Sequence, residues 1–191
     1  MASPTDPKQF ATQRAFEAWL RKHQADPDGV WLLLAKAGAE TRTVTYAEAV
    51  EVALCHGWID GQKKAFDDAY WLQRFTPRRA RSPWSKINRT KAEALIASGR
   101  MQPAGQAEID RAKADGRWDK AYDGARTATM PADLQAALEA QPDAAAFFAA
   151  LDAANRYAVL WRVQTASKPE TRAKRIEKLV AMLAQGEKIH G

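Results

Sequence analysis

Residues 69–75 constrain the fold more than any other part of this chain. Tyr70, Leu72 and Arg74 alternate with Trp71, Gln73 and Phe75, and a period of two places the two sets on opposite faces of a strand. Upstream, Val30-Trp31-Leu32-Leu33-Leu34-Ala35 is a short apolar run behind the turn signal Asp26-Pro27-Asp28-Gly29, which reads as a buried strand. Trp58-Ile59-Asp60 reads as a third strand, paired to 69–75 around Asp67 and Asp68, with Thr76-Pro77 ending the pairing. Nothing after residue 83 alternates in this way. The chain is therefore expected to be α+β: a small antiparallel sheet with flanking helices in its N-terminal part, and a helical C-terminal module.

The helices announce themselves by caps and stops. Asp6-Pro7 reads as the N-cap and first residue of a helix near 7–23, with Phe16, Trp19 and Leu20 inward. Thr45-Tyr46-Ala47-Glu48 is a capping box opening a second helix, and Gly57 is its terminator. Ser82-Pro83 and Thr90-Lys91-Ala92-Glu93 are start signals with Gly99 as the stop, and a further helix spans about 103–115. Helices follow at Pro131, Pro142 and 153–165. A last one opens with the capping box Ser167-Lys168-Pro169-Glu170 and carries Ile176, Leu179, Val180 and Leu183 at i, i+3, i+4, i+7. These signals divide the chain into an α+β domain over 1–125 and a helical domain over 126–191, packed on the first.

Charge narrows the partners. Segment 56–100 holds ten Lys or Arg against four Asp or Glu, a net of +6, equal to the formal charge of all 191 residues. From Arg74 to Lys91 there are seven cations and no acid. A confined positive field favours an anionic small molecule or a nucleic acid. No run of 18 apolar residues is present, so membrane insertion is not expected. The stretch 1–8 has neither a basic nor an apolar leader region, and the one cysteine permits no intrachain disulfide, so the protein is expected in the cytoplasm.

Motifs for chemistry are sparse. His23, His56 and His190 are far apart and join a single cysteine, which gives no metal pattern. Neither phosphate-loop fingerprint occurs, so no cofactor is expected. Cys55 lies at a helix C-terminus, which disfavours a thiolate, and reads as a packing residue. Asp60 is the one candidate acid or base, set against a role pairing with a nearby arginine. The basic cluster has three readings. It is a solvated face; or an anion site, in which Arg74, Arg78, Arg79 and Arg89 supply forks and Ser82, Ser85 and Asn88 supply neutral donors; or a nucleic-acid surface with Trp71 and Trp84 as stacking platforms. With Trp58 and Asp60 on the neighbouring strand, these eleven residues form the candidate ligand site. The cationic run 168–175 reads as the outer face of the last helix.

Several strings resemble the YdeI/OmpD-associated family of bacteriocin-protection proteins. They are Val44-Thr45-Tyr46-Ala47-Glu48-Ala49, Ala53-Leu54-Cys55-His56-Gly57-Trp58-Ile59-Asp60-Gly61-Gln62, Arg74-Phe75-Thr76-Pro77-Arg78-Arg79 and Ser82-Pro83-Trp84-Ser85-Lys86-Ile87-Asn88. In the C-terminal part they are Met130-Pro131-Ala132-Asp133-Leu134 and Ala166-Ser167-Lys168-Pro169-Glu170-Thr171-Arg172-Ala173-Lys174-Arg175-Ile176. The resemblance runs over nearly all of the chain. It implies a role in protection against bacteriocins or cationic antimicrobial peptides and an association with an outer-membrane porin; it carries no catalytic residues over. A basic surface repels a cationic peptide, so an envelope-stress role in the cytoplasm is expected rather than direct capture, with a protein partner as a further possibility. The leading reading is a non-catalytic binding protein for an anionic ligand. The alternatives are a nucleic-acid-binding protein and an enzyme acting on a phosphorylated or carboxylated small molecule.

Overall fold

The computed structural model describes residues 6–190; residues 1–5, part of the stretch examined for a leader, and Gly191 lie outside them. The chain divides into two compact units. The first joins Met1–Ser82 with Asn88–Asp119, and the second joins Pro83–Ile87 with Lys120–Gly191.

A three-stranded antiparallel sheet organises the first unit. Its strands are β1 (Val30–Ala35), β2 (Trp58–Ala65) and β3 (Tyr70–Pro77), in the order β1-β3-β2. Val30 lies opposite Phe75 and Ala35 opposite Tyr70, so the apolar β1 is buried on the central strand. β2 runs five residues past Asp60 and is broken by a bulge at Gly61 and Gln62. The buried amide of Gln73 holds that bulge, its Nε2 donating to the carbonyls of Gly61 at 3.0 Å and Gln62 at 3.3 Å. Pairing does not stop at Thr76-Pro77, because Ile59 faces Thr76 and Trp58 faces Pro77. β1 has ended opposite Phe75, so Pro77 has a strand on one side alone, where a residue without an N–H is tolerated.

The helices of this unit are α1 (Gln13–Lys22), α2 (Tyr46–Cys55), α3 (Lys86–Ala97), whose first two residues fall in the second unit, and α4 (Pro103–Ala114). The first two turns of 7–23 are not helical. Lys8 donates to Trp31 O and accepts from Leu33 N, bridging to β1, and Thr12 caps α1 in place of Asp6. α2 carries the capping box in full and ends at Gly57, with φ +74°. α3 begins at Lys86, and Thr90 lies inside it rather than at its start. α4 approaches the end of α2 so closely that a Cβ on Gly105 would stand 2.4 Å from Cys55 O and 2.5 Å from Leu54 O.

The second unit is helical: α5 (Ala132–Glu139), α6 (Pro142–Ala150), α7 (Ala153–Gln164) and α8 (Pro169–Ala184). Ile176, Leu179, Val180 and Leu183 bury their stripe with Leu134, Phe148, Val159 and Val163. α8 starts at Pro169 with Lys168 as N-cap, one residue after the predicted Ser167, and without a side-chain cap. Proline at the first helical position pre-sets φ and displaces the capping box. Residues 83–87 join this unit through a short parallel bridge between Ser85 and Tyr122, with Tyr122 N donating to Trp84 O and Lys86 N to Tyr122 O, each at 2.9 Å.

Candidate functional site

Nine of the eleven residues that the sequence grouped fall in the first unit and two in the second. In the first unit, Trp58 is 1% exposed and lies edge-on to Trp19, its Nε1 donating to Gln24 O at 3.2 Å. Arg78 is 6% exposed, and its backbone N–H donates to Gly57 O. Arg74 is half-buried and donates from Nη2 to Asp28 O at 3.1 Å. Ser82 closes a tight turn, its Oγ accepting from Arg79 N, while its carbonyl accepts from Arg117 Nη1 at 2.7 Å. Arg89 donates to Trp118 O, Asn88 is half-buried beside it on α3, and Arg79 is exposed. Trp84 and Ser85 belong to the second unit, and Trp84 is 2% exposed. A ring so covered offers no stacking face.

Asp60 takes its hydrogen bond from a tyrosine, not from one of the arginines expected beside it. The Tyr46 hydroxyl donates to Asp60 Oδ2 at 2.7 Å. Tyr46 packs at a tilt against Trp71, with ring centroids 5.8 Å apart, and Lys63 Nζ lies 4.5 Å over the Trp71 ring. Asp60, Tyr46, Trp71 and Lys63 thus form one polar-aromatic cluster linking α2 to β2 and β3.

Tyr46 and Trp71 also wall a cleft of about 830 Å³. Its cations are Arg14, Lys36 and Arg42, and its one acid is Glu48. Glu48 is committed to the capping box: its Oε2 accepts from both the backbone N and Oγ1 of Thr45 at 2.8 Å, and its carboxyl is held below the usual range by those bonds, the backbone bond most of all. Two helix starts face this cleft, α1 after Thr12 and α2 after Thr45, since both caps and the residues following them line it. The caps take the N–H groups of Ala15 and Glu48. The other first-turn N–H groups have no acceptor within their helices, and both dipoles favour negative charge there. Gln13 lines the cleft as well, and its buried Nε2 has no hydrogen-bond partner among the described residues.

Local folding explains the convergence. Thr43 Oγ1 accepts from Ala35 N at 2.9 Å, and Val44 N donates to Phe10 O at 2.7 Å, which pins the segment between β1 and α2 over the start of α1. Arg14, Lys36 and Arg42 come from three separate segments, so no window along the chain reveals them together. The Thr45 capping box is the one sequence signal that marks the place.

Gln13 and Arg14 also line a second cleft, of about 680 Å³, with Arg21, Arg100 and Glu17. Glu17 bridges Arg21 at 2.8 Å and the buried His56 at 3.5 Å. Burial lowers the His56 pKa from its ordinary value of 6.5, with Glu17 opposing in part. Cys55 is buried, and burial pushes its thiol up to about 11, which leaves no thiolate at neutral pH for nucleophilic chemistry. Among the described residues, no group of three or more His, Cys, Asp or Glu could hold a metal ion, and no helix is long and apolar enough to cross a membrane.

No curated protein and no solved structure matches this chain. Two family models do. Residues 127–186 match the family described as Bacteriocin-protection, YdeI or OmpD-Associated, so that resemblance, expected over nearly the whole chain, is matched over its C-terminal part. Residues 8–108, which contain both basic clefts, match a domain of unknown function, DUF8412. The chain therefore belongs to the DUF8412 domain family, and its residues 127–186 are similar to the family described as Bacteriocin-protection, YdeI or OmpD-Associated.

Proposed function

We propose that this protein is a non-catalytic binding protein for a small anionic ligand, which it takes in the cleft between the starts of α1 and α2. The observation that carries this reading is the charge and shape of that cleft. Arg14, Lys36 and Arg42 stand around two helix N-termini, the single carboxylate is consumed by its own cap, and Tyr46 and Trp71 form an apolar wall. Arginine forks suit carboxylate and phosphate groups. The binding role belongs in the cytoplasm within an envelope-stress response, because a basic surface repels the cationic peptides that bacteriocin protection would otherwise require it to grip.

This reading moves the ligand away from 58–88. The nucleic-acid alternative is weakened by the burial of Trp84, and Trp71 is left as the one partly open ring of the two stacking platforms. The enzyme alternative rests on Asp60, whose carboxylate accepts from the Tyr46 hydroxyl.

The test is calorimetric titration of the full chain with pyrophosphate and with citrate, alongside native mass spectrometry of freshly purified protein. Saturable binding of either anion, weakened at least about tenfold in an Arg14→Ala, Arg42→Ala double variant, is the expected result. Unchanged affinity in that variant sinks the proposal. Arg14 and Arg42 are exposed, so their loss leaves the core intact, whereas replacing the buried Arg78 would confound binding with unfolding.

A further inference from the structure

The C-terminal unit has a cleft of its own, of about 550 Å³. Its floor is apolar: Trp161 from α7, Leu179 and Met182 from α8, and Ile189 from the tail beyond. Leu179 belongs to the core of the unit, and Met182 and Ile189 pack partly buried against it. The rim is basic. Arg162, Arg175, Lys178 and Lys188 line it, and no carboxylate does. The charge of Lys188 also reaches Asp152, which caps the far end of α7 and is not part of the lining. Arg175 is held in place, its Nη1 donating to Arg162 O at 2.8 Å and reaching Thr165 Oγ1 at 3.4 Å. Lys178 and Lys188 are exposed.

An apolar floor under a cationic rim selects a ligand with both a tail and a negative head. A small polar anion leaves the floor wet, and a neutral apolar molecule leaves a basic rim with no carboxylate in the lining unanswered. A nucleic acid would add backbone charge along a track but would place nothing aliphatic on Leu179, Met182 and Ile189. We propose that this cleft binds a single-chain anionic amphiphile. The alkyl chain lies on Leu179, Met182 and Ile189, and the carboxylate or phosphate head is held by Arg162, Arg175, Lys178 and Lys188.

Methyl NMR of the full chain tests this, because Met182 is one of only four methionines, with Met1, Met101 and Met130. Its signal is assigned with Met182→Leu. Dodecanoate and dodecyl phosphate, both below their micelle concentrations, should shift the Met182 methyl saturably while Met101 stays still; their relative affinities tell which head the rim prefers. Each methylene removed from the tail should weaken binding about fourfold. A Lys178→Glu, Lys188→Glu variant should weaken it about tenfold or more. The Arg14→Ala, Arg42→Ala variant should bind dodecanoate as the wild type does, which separates this site from the N-terminal cleft. An unmoved Met182 overturns the proposal, and so does an equal response to dodecyltrimethylammonium or to inorganic phosphate alone. A response to an acidic amphipathic peptide or a single-stranded oligonucleotide, without one to dodecanoate, overturns it in favour of a macromolecular partner.

Discussion

The two units solve the same packing problem by different means. The N-terminal unit is held by contacts between distant parts of the chain: Lys8 to Trp31 and Leu33, Val44 to Phe10, Gln73 to the β2 bulge, and the α4 backbone against the end of α2. It buries His56, Gln73 and Arg78 among its apolar residues. The C-terminal helices bury an apolar stripe, and their main polar insertion is Asn155, which accepts from His190 N at 2.8 Å and donates to Asp152 at 2.9 Å. Where backbone meets backbone, one atom decides the fit. Where side chains interdigitate, the loss scales with the volume removed.

That contrast is breakable, and the largest effect should come from Gly105. Leucine there would drive a side chain into the carbonyls of Leu54 and Cys55, costing about 3 kcal/mol or more and abolishing the cooperative denaturation of the N-terminal unit. Gly186→Ala is the comparison in the second unit: φ is +71° but the nearest atom to a new Cβ is 3.8 Å away, so only strain of about 1 kcal/mol is expected. If both glycines respond alike to urea denaturation, close approach is not what distinguishes the units.

Leu183→Ala probes the side-chain mode. Leu183 is fully buried in the C-terminal core, and its truncation should cost about 3 kcal/mol through lost burial and the cavity left behind. A loss below about 1 kcal/mol would mean that the helices close the cavity by sliding together.

The buried histidine sharpens the contrast through pH. Burial disfavours the charged form of His56 in the folded protein, with Glu17 opposing in part. Below its ordinary pKa of 6.5 the unfolded chain takes up a proton that the folded protein binds more weakly. Stability should therefore fall as pH drops below 6.5, by no more than about 1.4 kcal/mol per pH unit, until the folded protein takes up the proton as well. Denaturation at stepped pH values checks this, and His56→Gln should flatten the slope. An unaltered slope in that variant would assign it elsewhere. The stability contributed by the depressed carboxyls of Glu17, Glu48 and Asp133 is present above their ordinary carboxylate range and is lost only as pH falls below it.

The smallest effect should come from Arg172→Ala. Its guanidinium forks onto Asp133, which it holds well below the usual carboxylate range, but the pair is partly open to water. A loss under about 1 kcal/mol, shrinking in high salt, is expected.

Much of the fold was legible because its signals are local. The strand at 70–75, the Thr45 and Glu48 box, the glycine stops and the stripe from Ile176 to Leu183 each sit within a few residues, and each appears in the structure where it was read, although burial along the strand does not alternate. The misreadings at Asp6-Pro7, Thr90 and Ser167 arose where two local signals competed and a distant contact or a neighbouring proline chose between them. The candidate site was less legible. Adjacency in sequence suggested that the basic residues of 74–89 act together, yet burial drew Trp58, Arg78 and Trp84 inward, and 83–87 belongs to the second unit.

What the amino-acid order determined was the partition into a sheet-bearing part and a helical part, the main helix caps and a packing role for Cys55. Tertiary structure decided which cations share a cleft. Arg14, Lys36 and Arg42 are brought together by β1 pairing and by the bond from Val44 to Phe10, and Arg162, Arg175, Lys178 and Lys188 by the packing of α7 and α8. The physical reason is range: caps and periodicities are energies between near neighbours along the chain, whereas the field in a cleft sums charges whose positions exist only after the chain has closed on itself.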